Sequence, residues 1–312
     1  MRLTTHLSLI ASASLIMTAC GGGGSSSNTT PVDPTPTEQK LTIPFQAVAG
    51  TTAIDCAANL SLLGTTADGG KISDFAFYVH DIKFSTTDGK TITTTLEDNT
   101  FQDPQYGVAL LDFQNKADSC AGLDKPTNKQ VTLKATVDPS KINGISFSVG
   151  VPATANHHNA STSRSPYNRS GLAWSWQSGH KFMRLDVKPT QQVTKADGTK
   201  TATFNFHLGS TGCSGDPVTG QVVTCTAPNR PAISLTDGFS VNSANKTSAI
   251  VLNYASLIEN INLNLETGGA VGCMSGATDP ECPGFFEQLN LPLGTIPAPG
   301  TQQVFSVSNT SN

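Results

Sequence analysis

The sequence predicts an all-β fold: a disulfide-stabilised antiparallel β-sandwich with long loops and little helix. Charged residues make up only 13% of the 312 residues, about half the usual share of roughly 25%. Thr, Ser, Asn and Gly take their place, and these residues favour strands and turns over helices. The net charge of -4 argues against a nucleic-acid-binding protein, which needs a basic face to neutralise phosphates.

Short stretches of alternating polarity, separated by turn residues, predict the individual strands. In residues 72–84 the alternation places Phe75, Phe77 and Val79 on one face and Tyr78, His80, Ile82 and Phe84 on the other. The Thr-Asp-Gly-Lys sequence at 87–90 predicts a hairpin turn, with a return strand at 91–96. Further strands are predicted at 108–113, 131–137, 145–151, 181–187, 201–208 and 248–254, and one helical turn at 284–289.

The N-terminal residues predict an exported lipoprotein. Residues 1–19 have the basic start and short apolar run of a signal peptide, and small residues lead to Cys20, which we expect to be lipidated. The alternative is an ordinary signal peptide that leaves Cys20 as a free thiol. Gly21, rather than Asp, follows Cys20, which favours the outer membrane of a bacterial cell envelope. Residues 20–39 are rich in Gly, Ser and Pro and predict a flexible tether, so the folded domain is expected at 40–312.

Six cysteines remain once Cys20 is assigned to the lipid, and an even number in an exported chain indicates disulfides. Six cysteines allow 15 connectivities, and the sequence alone does not choose among them. Two pairs each bracket a short Gly/Pro-containing loop, which favours local pairing and leaves the third pair by elimination. Thiolate metal ligands are the alternative, but the close CxxC spacing typical of them does not occur. The favoured pairs are Cys213 with Cys225, Cys273 with Cys282, and Cys56 with Cys120.

Five histidines outside the signal peptide are the candidate metal ligands, because imidazole suits transition metals and the cysteines are expected to be oxidised. Each could equally be a hydrogen-bonded structural or surface histidine, since none has a recognised metal-binding spacing. The two tryptophans, Trp174 and Trp176, are spaced to share one face of a strand. They fit either an aromatic core pair or a platform that stacks on sugar rings. The histidines are His80, His157, His158, His180 and His207.

Several segments, taken in order, resemble the MbnP family of copper-binding proteins, also called metallo-mystery pair four-Cys proteins. Matches in the same order cover most of residues 41–291. One departure is His180, at a position where the family commonly has Tyr. The matching segments are FYVHDI at 77–82, VALLDF at 108–113, FSVGVP at 147–152 with Asn156-His157, WSWQSGHKF at 174–182, HLGSTGC at 207–213, and GCMS at 272–275 with Cys282.

The resemblance implies that the protein binds one copper ion, as Cu(I), and has a role in copper homeostasis or acquisition. In this family the first tryptophan of the WxW motif, here Trp174, is oxidised to kynurenine by a di-haem partner of the MauG/cytochrome c peroxidase superfamily. Intact indole is a poor ligand because its nitrogen lone pair belongs to the aromatic ring, whereas kynurenine offers an aniline nitrogen and a ketone. The expected ligands are Trp174 as kynurenine, His157, His207 and His80, with His158 and His180 as further candidates.

Binding rather than catalysis is therefore expected, and two other classes stay open at this point. The first is a metal-free carbohydrate-binding or adhesion module that uses Trp174 and Trp176. The second is a secreted hydrolase, for which Asp81, Asp112 and Asp186 are available acids. However, no GxSxG or paired-carboxylate motif singles out any of these acids.

Overall fold

Two facing β-sheets carry most of the regular structure. The computed structural model describes residues 35–114, 120, 126–174, 179–242, 244 and 246–308. The predicted signal peptide, Cys20, most of the predicted tether and Trp176 lie outside these residues. Residues 36–312 form one unit, and no helix in the described ranges is long and apolar enough to cross a membrane.

The first half of the chain contributes ten strands. They are β1 (Glu38–Ala49), β2 (Thr52–Ala53), β3 (Leu60–Leu63), β4 (Asp68–Thr86), β5 (Thr91–Thr93), β6 (Thr95–Leu96), β7 (Gln102–Asp103), β8 (Val108–Asp112), β9 (Gln130–Thr136) and β10 (Ile142–Val149).

The second half contributes ten more strands and the three short α-helices. The strands are β11 (Lys181–Pro189), β12 (Val193–Thr194), β13 (Lys200–Thr201), β14 (Phe204–Gly209), β15 (Thr211–Ser214), β16 (Thr224–Ala227), β17 (Ala232–Leu235), β18 (Ala249–Asn253), β19 (Gly272–Cys273) and β20 (Phe305–Ser308). The helices are α1 (Ala153–Asn156), α2 (Tyr254–Leu257) and α3 (Cys282–Gln288).

The smaller sheet has six strands in the order β20-β18-β1-β9-β6, with β2 paired to β1. The larger sheet has ten strands, six of which follow the order β17-β10-β4-β11-β14-β19. In addition, β3, β5 and β8 pair with β4, and β7 pairs with β8. Most pairs are antiparallel, but β1 with β18 and β14 with β19 are parallel, so both sheets are mixed. The predicted β-rich, disulfide-stabilised fold with little helix is confirmed.

The long strand β4 organises the larger sheet. On one edge it pairs first with β11, through residues 70–77, and then with β10, through residues 79–86. β10 and β11 therefore pair antiparallel with the same edge of β4, one after the other. Between them, neither strand pairs with Tyr78. The chain leaves the sheet at this break after Gly150 and returns at Lys181. We call residues 151–180 the cover segment.

The core between the sheets is aromatic. Phe77 of β4 stacks on Phe113 at 6.1 Å between ring centroids and meets Phe45 and Phe305 edge-on at 6.2 and 5.9 Å. These rings are buried, and they come from both sheets. Aromatic packing of this kind therefore joins the two layers and leaves the opposite face of β4 for other contacts.

The predicted face of Phe84 is wrong. Ser148 of β10 lies opposite His80 of β4, and Ser146 lies opposite Lys83. Between these two pairs, β4 contains one more residue than β10. Asp81 lies in this bulge, in the left-handed region with φ of 54°. An extra residue reverses the alternation of side chains. Phe84 consequently lies on the face of Phe75 and Phe77, where it stacks on Phe239.

Three disulfides join the cysteines in the favoured pairs: Cys56 with Cys120, Cys213 with Cys225, and Cys273 with Cys282. The first links residues 64 apart in sequence, whereas the other two close local loops of 12 and 9 residues. Cys213 and Cys225 lie directly opposite each other in the β15–β16 hairpin.

Candidate metal centre

The cover segment lies over the polar face of the larger sheet and is tied to it by hydrogen bonds. The Tyr78 hydroxyl donates to the Pro166 carbonyl at 2.9 Å. The Gly150 backbone N–H donates to the Tyr78 carbonyl at 2.7 Å. Arg184 of β11 donates through Nη1 to the Gly171 carbonyl at 3.3 Å. Four of the six predicted metal-binding residues lie in this segment, so its position on the sheet determines which of them come close together.

Trp174, His158 and His180 line one pocket of about 340 Å³. The Trp174 backbone N–H donates to the Gly179 carbonyl at 3.0 Å. The six-membered ring of Trp174 packs on Gly209 at the end of β14. A Cβ at position 209 would come within 2.5 Å of ring atom Cζ3. A glycine is thus required at position 209 for Trp174 to reach this position.

His180 holds the two ends of the cover segment together. Its Nδ1 donates to the Asn156 carbonyl at 2.8 Å, and its Nε2 lies 3.2 Å from the Tyr167 carbonyl. The ring is 1% exposed, and burial lowers the pKa of His180 despite these two hydrogen-bonding partners. Since both ring nitrogens face backbone carbonyls, the imidazole positions the segment in this structure rather than presenting a lone pair to the pocket.

A cluster of tyrosines supports the pocket histidines. Tyr167 packs edge-on against His180 at 5.7 Å and against His158 at 6.2 Å between ring centroids. Tyr106 also packs edge-on against His158, at 5.2 Å, and lies 6.3 Å from Tyr167. The Tyr167 hydroxyl donates to Oδ2 of Asp103 at 2.9 Å, and Asp103 is 0% exposed. Burial and this carboxylate raise the pKa of Tyr167, so the hydroxyl keeps its proton.

His157 lies between a buried amide and a disulfide. It follows the short helix α1, and its Nε2 is 3.2 Å from Nδ2 of Asn156 and 3.6 Å from Sγ of Cys225. Asn156 is completely buried and also accepts from the His180 backbone N–H at 3.0 Å through Oδ1. One amide side chain therefore fixes His157 relative to His180.

His207 belongs to a buried charge network on β11 and β14. Its Nε2 lies 2.8 Å from Oδ1 of Asp186, whose Oδ2 accepts from Arg184 Nε at 2.7 Å. Arg184 also pairs with Asp74 at 3.2 Å. Burial acts to raise the pKa of Asp186, but His207 and Arg184 hold it below its ordinary value.

His80 lines a second pocket, of about 440 Å³, together with Tyr106 and Pro152. Its Nδ1 donates to the Gly150 carbonyl at 2.9 Å. Burial lowers the pKa of His80 to about 4, so the ring is neutral at physiological pH. The Nε2 atom then carries the lone pair. Tyr106 separates this pocket from the ring of His158.

The structure brings some of the predicted ligands together and holds others apart. Trp174, His158 and His180 share a pocket, and His157 is adjacent. His207 lies opposite Arg184, which lies opposite Ala76 of β4. His207 is therefore two strands away from β4, at the level of a residue four positions before His80. At ordinary strand spacing the Cα atoms of His80 and His207 are then about 16 Å apart. These two do not converge on one ion in this arrangement.

Among the described residues, three or more potential donor atoms lie within 4.8 Å of one another in two places. The first group is His157, Cys213 and Cys225, and the second is Cys273, Asp279 and Cys282. Both groups contain disulfide-bonded cysteines. A preformed cluster of three histidines is thus not found in the part of the chain that the structure describes.

Four residues that support the candidate ligands were not predicted from the sequence. Asn156 stood beside His157 in a matched segment and could have been identified there. Asp103, Tyr106 and Tyr167 gave no sequence signal, because their contacts with the histidines depend on how the cover segment folds back onto β7 and β8. Asp186 was identified only as an acid for a hydrolase, whereas the structure pairs it with His207 and Arg184.

The MbnP family profile matches residues 38–275 of the sequence. This chain belongs to the MbnP family. The structure of MbnP from Methylosinus trichosporium matches this one with a TM-score of 0.77 and 33% sequence identity, covering 86% of this chain and 98% of that chain. A comparison with curated proteins finds no match. The resemblance predicted from the sequence is confirmed, and membership of the MbnP family supports a copper-related role.

The donor chemistry of the described histidines fits copper. His80 commits one ring nitrogen to a backbone carbonyl and His207 commits one to a carboxylate, the arrangement that metal-binding histidines commonly show. Neutral imidazole suits copper, and His80 and His180 both have lowered pKa values.

Proposed function

We propose that this MbnP-family chain is an exported lipoprotein that binds a single copper ion, as Cu(I), through histidines and a kynurenine formed from Trp174. It acts in copper homeostasis or acquisition and is a binding protein rather than an enzyme. It is itself the substrate of a di-haem partner of the MauG/cytochrome c peroxidase superfamily. Lipidation at Cys20 anchors it in the bacterial envelope, at the outer membrane. Three disulfides suit this oxidising location.

The observation that carries the proposal is the pocket shared by Trp174, His158 and His180 in a chain of this family. In this pocket Trp174, which needs chemical change to bind a metal, lies beside the imidazole of His158, while His180 positions the segment that carries both. His157 stands beside His158, which makes it the nearest additional donor. His80 and His207 do not line this pocket, and they enter the proposal as ligands that the family resemblance implies.

Oxidation changes Trp174 from a side chain without a usable lone pair into a ligand. Opening the pyrrole ring removes one carbon, which leaves as formate, and adds one oxygen to the residue. The side chain loses four electrons through the haem partner, and two molecules of hydrogen peroxide accept them: tryptophan and two H2O2 give kynurenine, formic acid and one water. The product has an aniline nitrogen and a ketone oxygen, either of which can bind a metal.

Tandem mass spectrometry of Trp174 tests the proposal. In protein made together with the di-haem partner, the Trp174 peptide should show the exchange of one carbon for one oxygen, while Trp176 stays unmodified. Trp174→Phe should lose tight copper binding even with the partner present, because Phe cannot become a ligand. His157→Ala and His158→Ala, compared by copper content, would rank the neighbouring histidines.

The matched control is the same protein made without the partner. It should contain unmodified Trp174, retain the fold and bind copper weakly. Tight copper binding by protein whose Trp174 is intact would show that the site is built from histidine alone, and the kynurenine proposal would fail.

A further inference from the structure

The disulfide beside His157 gives the chain a second set of metal donors. The Nε2 atom of His157 lies 3.6 Å from Sγ of Cys225, and the donor atoms of His157, Cys213 and Cys225 all lie within 4.8 Å of one another. With bonds of about 2.3 Å to sulfur and about 2.0 Å to nitrogen, the donors around one three-coordinate ion are separated by roughly 3.5–4 Å. The imidazole of His157 is therefore already at the required distance from Cys225, and the two sulfurs have to move apart once the bond between them is broken.

We propose that reduction of the Cys213–Cys225 disulfide converts this group into a Cu(I) site with two thiolates and one imidazole. The site lies outside the pocket of Trp174 and does not require kynurenine, but it shares His157 with the ligand set of the proposed function, so the two sites cannot use His157 at the same time. It does not rest on the proposed function. Soft thiolate ligands select Cu(I), and a neutral imidazole completes a three-coordinate set.

The backbone keeps the two cysteines together when the disulfide is absent. Cys213 and Cys225 are direct partners across the β15–β16 hairpin, with Thr211 opposite Ala227 and Ser214 opposite Thr224. The base of the hairpin is also fixed, because the Asn229 side-chain amide donates to the Gly209 carbonyl at 2.8 Å. The thiols produced by reduction consequently remain next to each other and next to His157.

Accessibility distinguishes this disulfide from the other local one. Cys213 and Cys225 are half-buried, whereas Cys273 and Cys282 are both 0% exposed. Thiol–disulfide exchange requires the attacking thiolate to reach a sulfur atom. A small thiol reductant should thus reduce Cys213–Cys225 before Cys273–Cys282.

The reaction balances with an external thiol reductant. Two reductant thiols supply two electrons and two protons, the S–S bond breaks, two cysteine thiols form, and the reductant leaves as its own disulfide. Binding of Cu(I) then releases the two thiol protons, because thiolate is the form that binds a metal. His157 contributes a ring nitrogen as neutral imidazole, the form that binds a metal.

The test uses the full chain made without a di-haem partner, so that Trp174 stays intact and a kynurenine site cannot form. Dithiothreitol is added until mass mapping shows reduction of Cys213–Cys225 alone, and the reductant is then removed under argon. Cu(I) is titrated against a coloured Cu(I) chelator. We expect the reduced protein to take up one more Cu(I) per chain than the oxidised protein. We also expect thiolate-to-copper absorption in the near ultraviolet.

Three variants decide whether the named residues form the site. The double variant Cys213→Ser, Cys225→Ser should abolish the additional Cu(I) uptake that follows reduction. The matched double variant at Cys273 and Cys282 should keep it. His157→Ala leaves the disulfide in place. It should lower the Cu(I) affinity of the reduced site at least about tenfold, because even the loss of an outer-shell partner lowers the affinity of a metal site by that factor.

Equal Cu(I) uptake before and after reduction would overturn the proposal. A gain that survives in the Cys213/Cys225 variant would also overturn it, as would earlier reduction of Cys273–Cys282. Because Trp174 is unmodified throughout, none of these results bears on the kynurenine site. Failure of the two proposals can therefore be told apart.

Discussion

The two faces of strand β4 perform different tasks with neighbouring residues. On one face, Phe75 and Phe77 pack in an aromatic core against the smaller sheet. On the other face, Tyr78 and His80 use their polar atoms to hold backbone carbonyls of Pro166 and Gly150. The first face is held by contacts that any well-fitting apolar side chain could make. The second is held by specific hydrogen bonds to the segment that carries the site.

This difference separates stability from function within one strand. Burial of aromatic surface contributes free energy in proportion to area and without direction. Hydrogen bonds contribute less net stability, but they fix the positions of the groups that make them. Changes on the aromatic face should therefore alter the free energy of unfolding most, and changes on the polar face should alter the site.

The largest expected effect is that of Phe77→Ala. Removing a completely buried ring that contacts three other phenylalanines should lower the free energy of unfolding by about 3–5 kcal/mol, measured by urea denaturation. Copper binding by the folded fraction should be unchanged. A loss below about 1 kcal/mol, or a specific loss of copper binding, would contradict the division between the faces.

The next effect concerns His80 and the pH dependence of stability. Burial lowers the pKa of His80 from 6.5 to about 4. Its contribution to stability is therefore complete above pH 6.5 and is lost as the pH falls towards 4, because the unfolded chain binds the proton first. The loss should reach at most about 3 kcal/mol.

His80→Gln should reduce this pH dependence, because glutamine can donate to the Gly150 carbonyl but does not titrate in this range. Urea denaturation of both proteins between pH 4 and pH 7 measures the difference. Identical pH profiles for the two proteins would show that His80 is not neutral and buried as the structure has it.

The smallest effect compares two buried hydroxyls that support the cover segment. Tyr167→Phe removes a hydrogen bond to the charged Asp103 and should cost about 2 kcal/mol, whereas Tyr78→Phe removes one to a neutral carbonyl and should cost about 1 kcal/mol. In kynurenine-containing protein, Tyr167→Phe should also weaken Cu(I) binding by about 10–100-fold, because the lost hydrogen bond to Asp103 orients the ring that packs on both His158 and His180.

Thermal unfolding and Cu(I) competition on the same samples separate the two effects. Tyr78→Phe is the matched control, because its ring also meets His180, at 6.1 Å, but does not have the contact with His158. An equal loss of Cu(I) affinity in both variants would mean that Tyr167 has no special role in positioning His158.

Several strands could be predicted because their signals are local. The predicted strand at 108–113 corresponds to β8, the one at 131–137 to β9 and the one at 181–187 to β11, with shifts of one or two residues at their ends. Strand β1 was not predicted, although its buried residues alternate from Leu41 to Ala49. The predicted return strand at 91–96 is divided: β5 pairs with β4, and β6 crosses to pair with β9 in the other sheet.

The sequence by itself determined the β-rich class, the six cysteines expected to form disulfides, the family and the identity of the candidate ligands. These follow from composition, from spacing and from ordered motifs, which are properties of the chain alone. Only the tertiary structure decided which ligands meet. The break between β10 and β11 places the cover segment over the sheet, joins Trp174 to His158 and His180, and leaves His80 and His207 apart. Such contacts depend on the register of strands distant in sequence and on one bulge at Asp81, and neither leaves a local pattern in the residues.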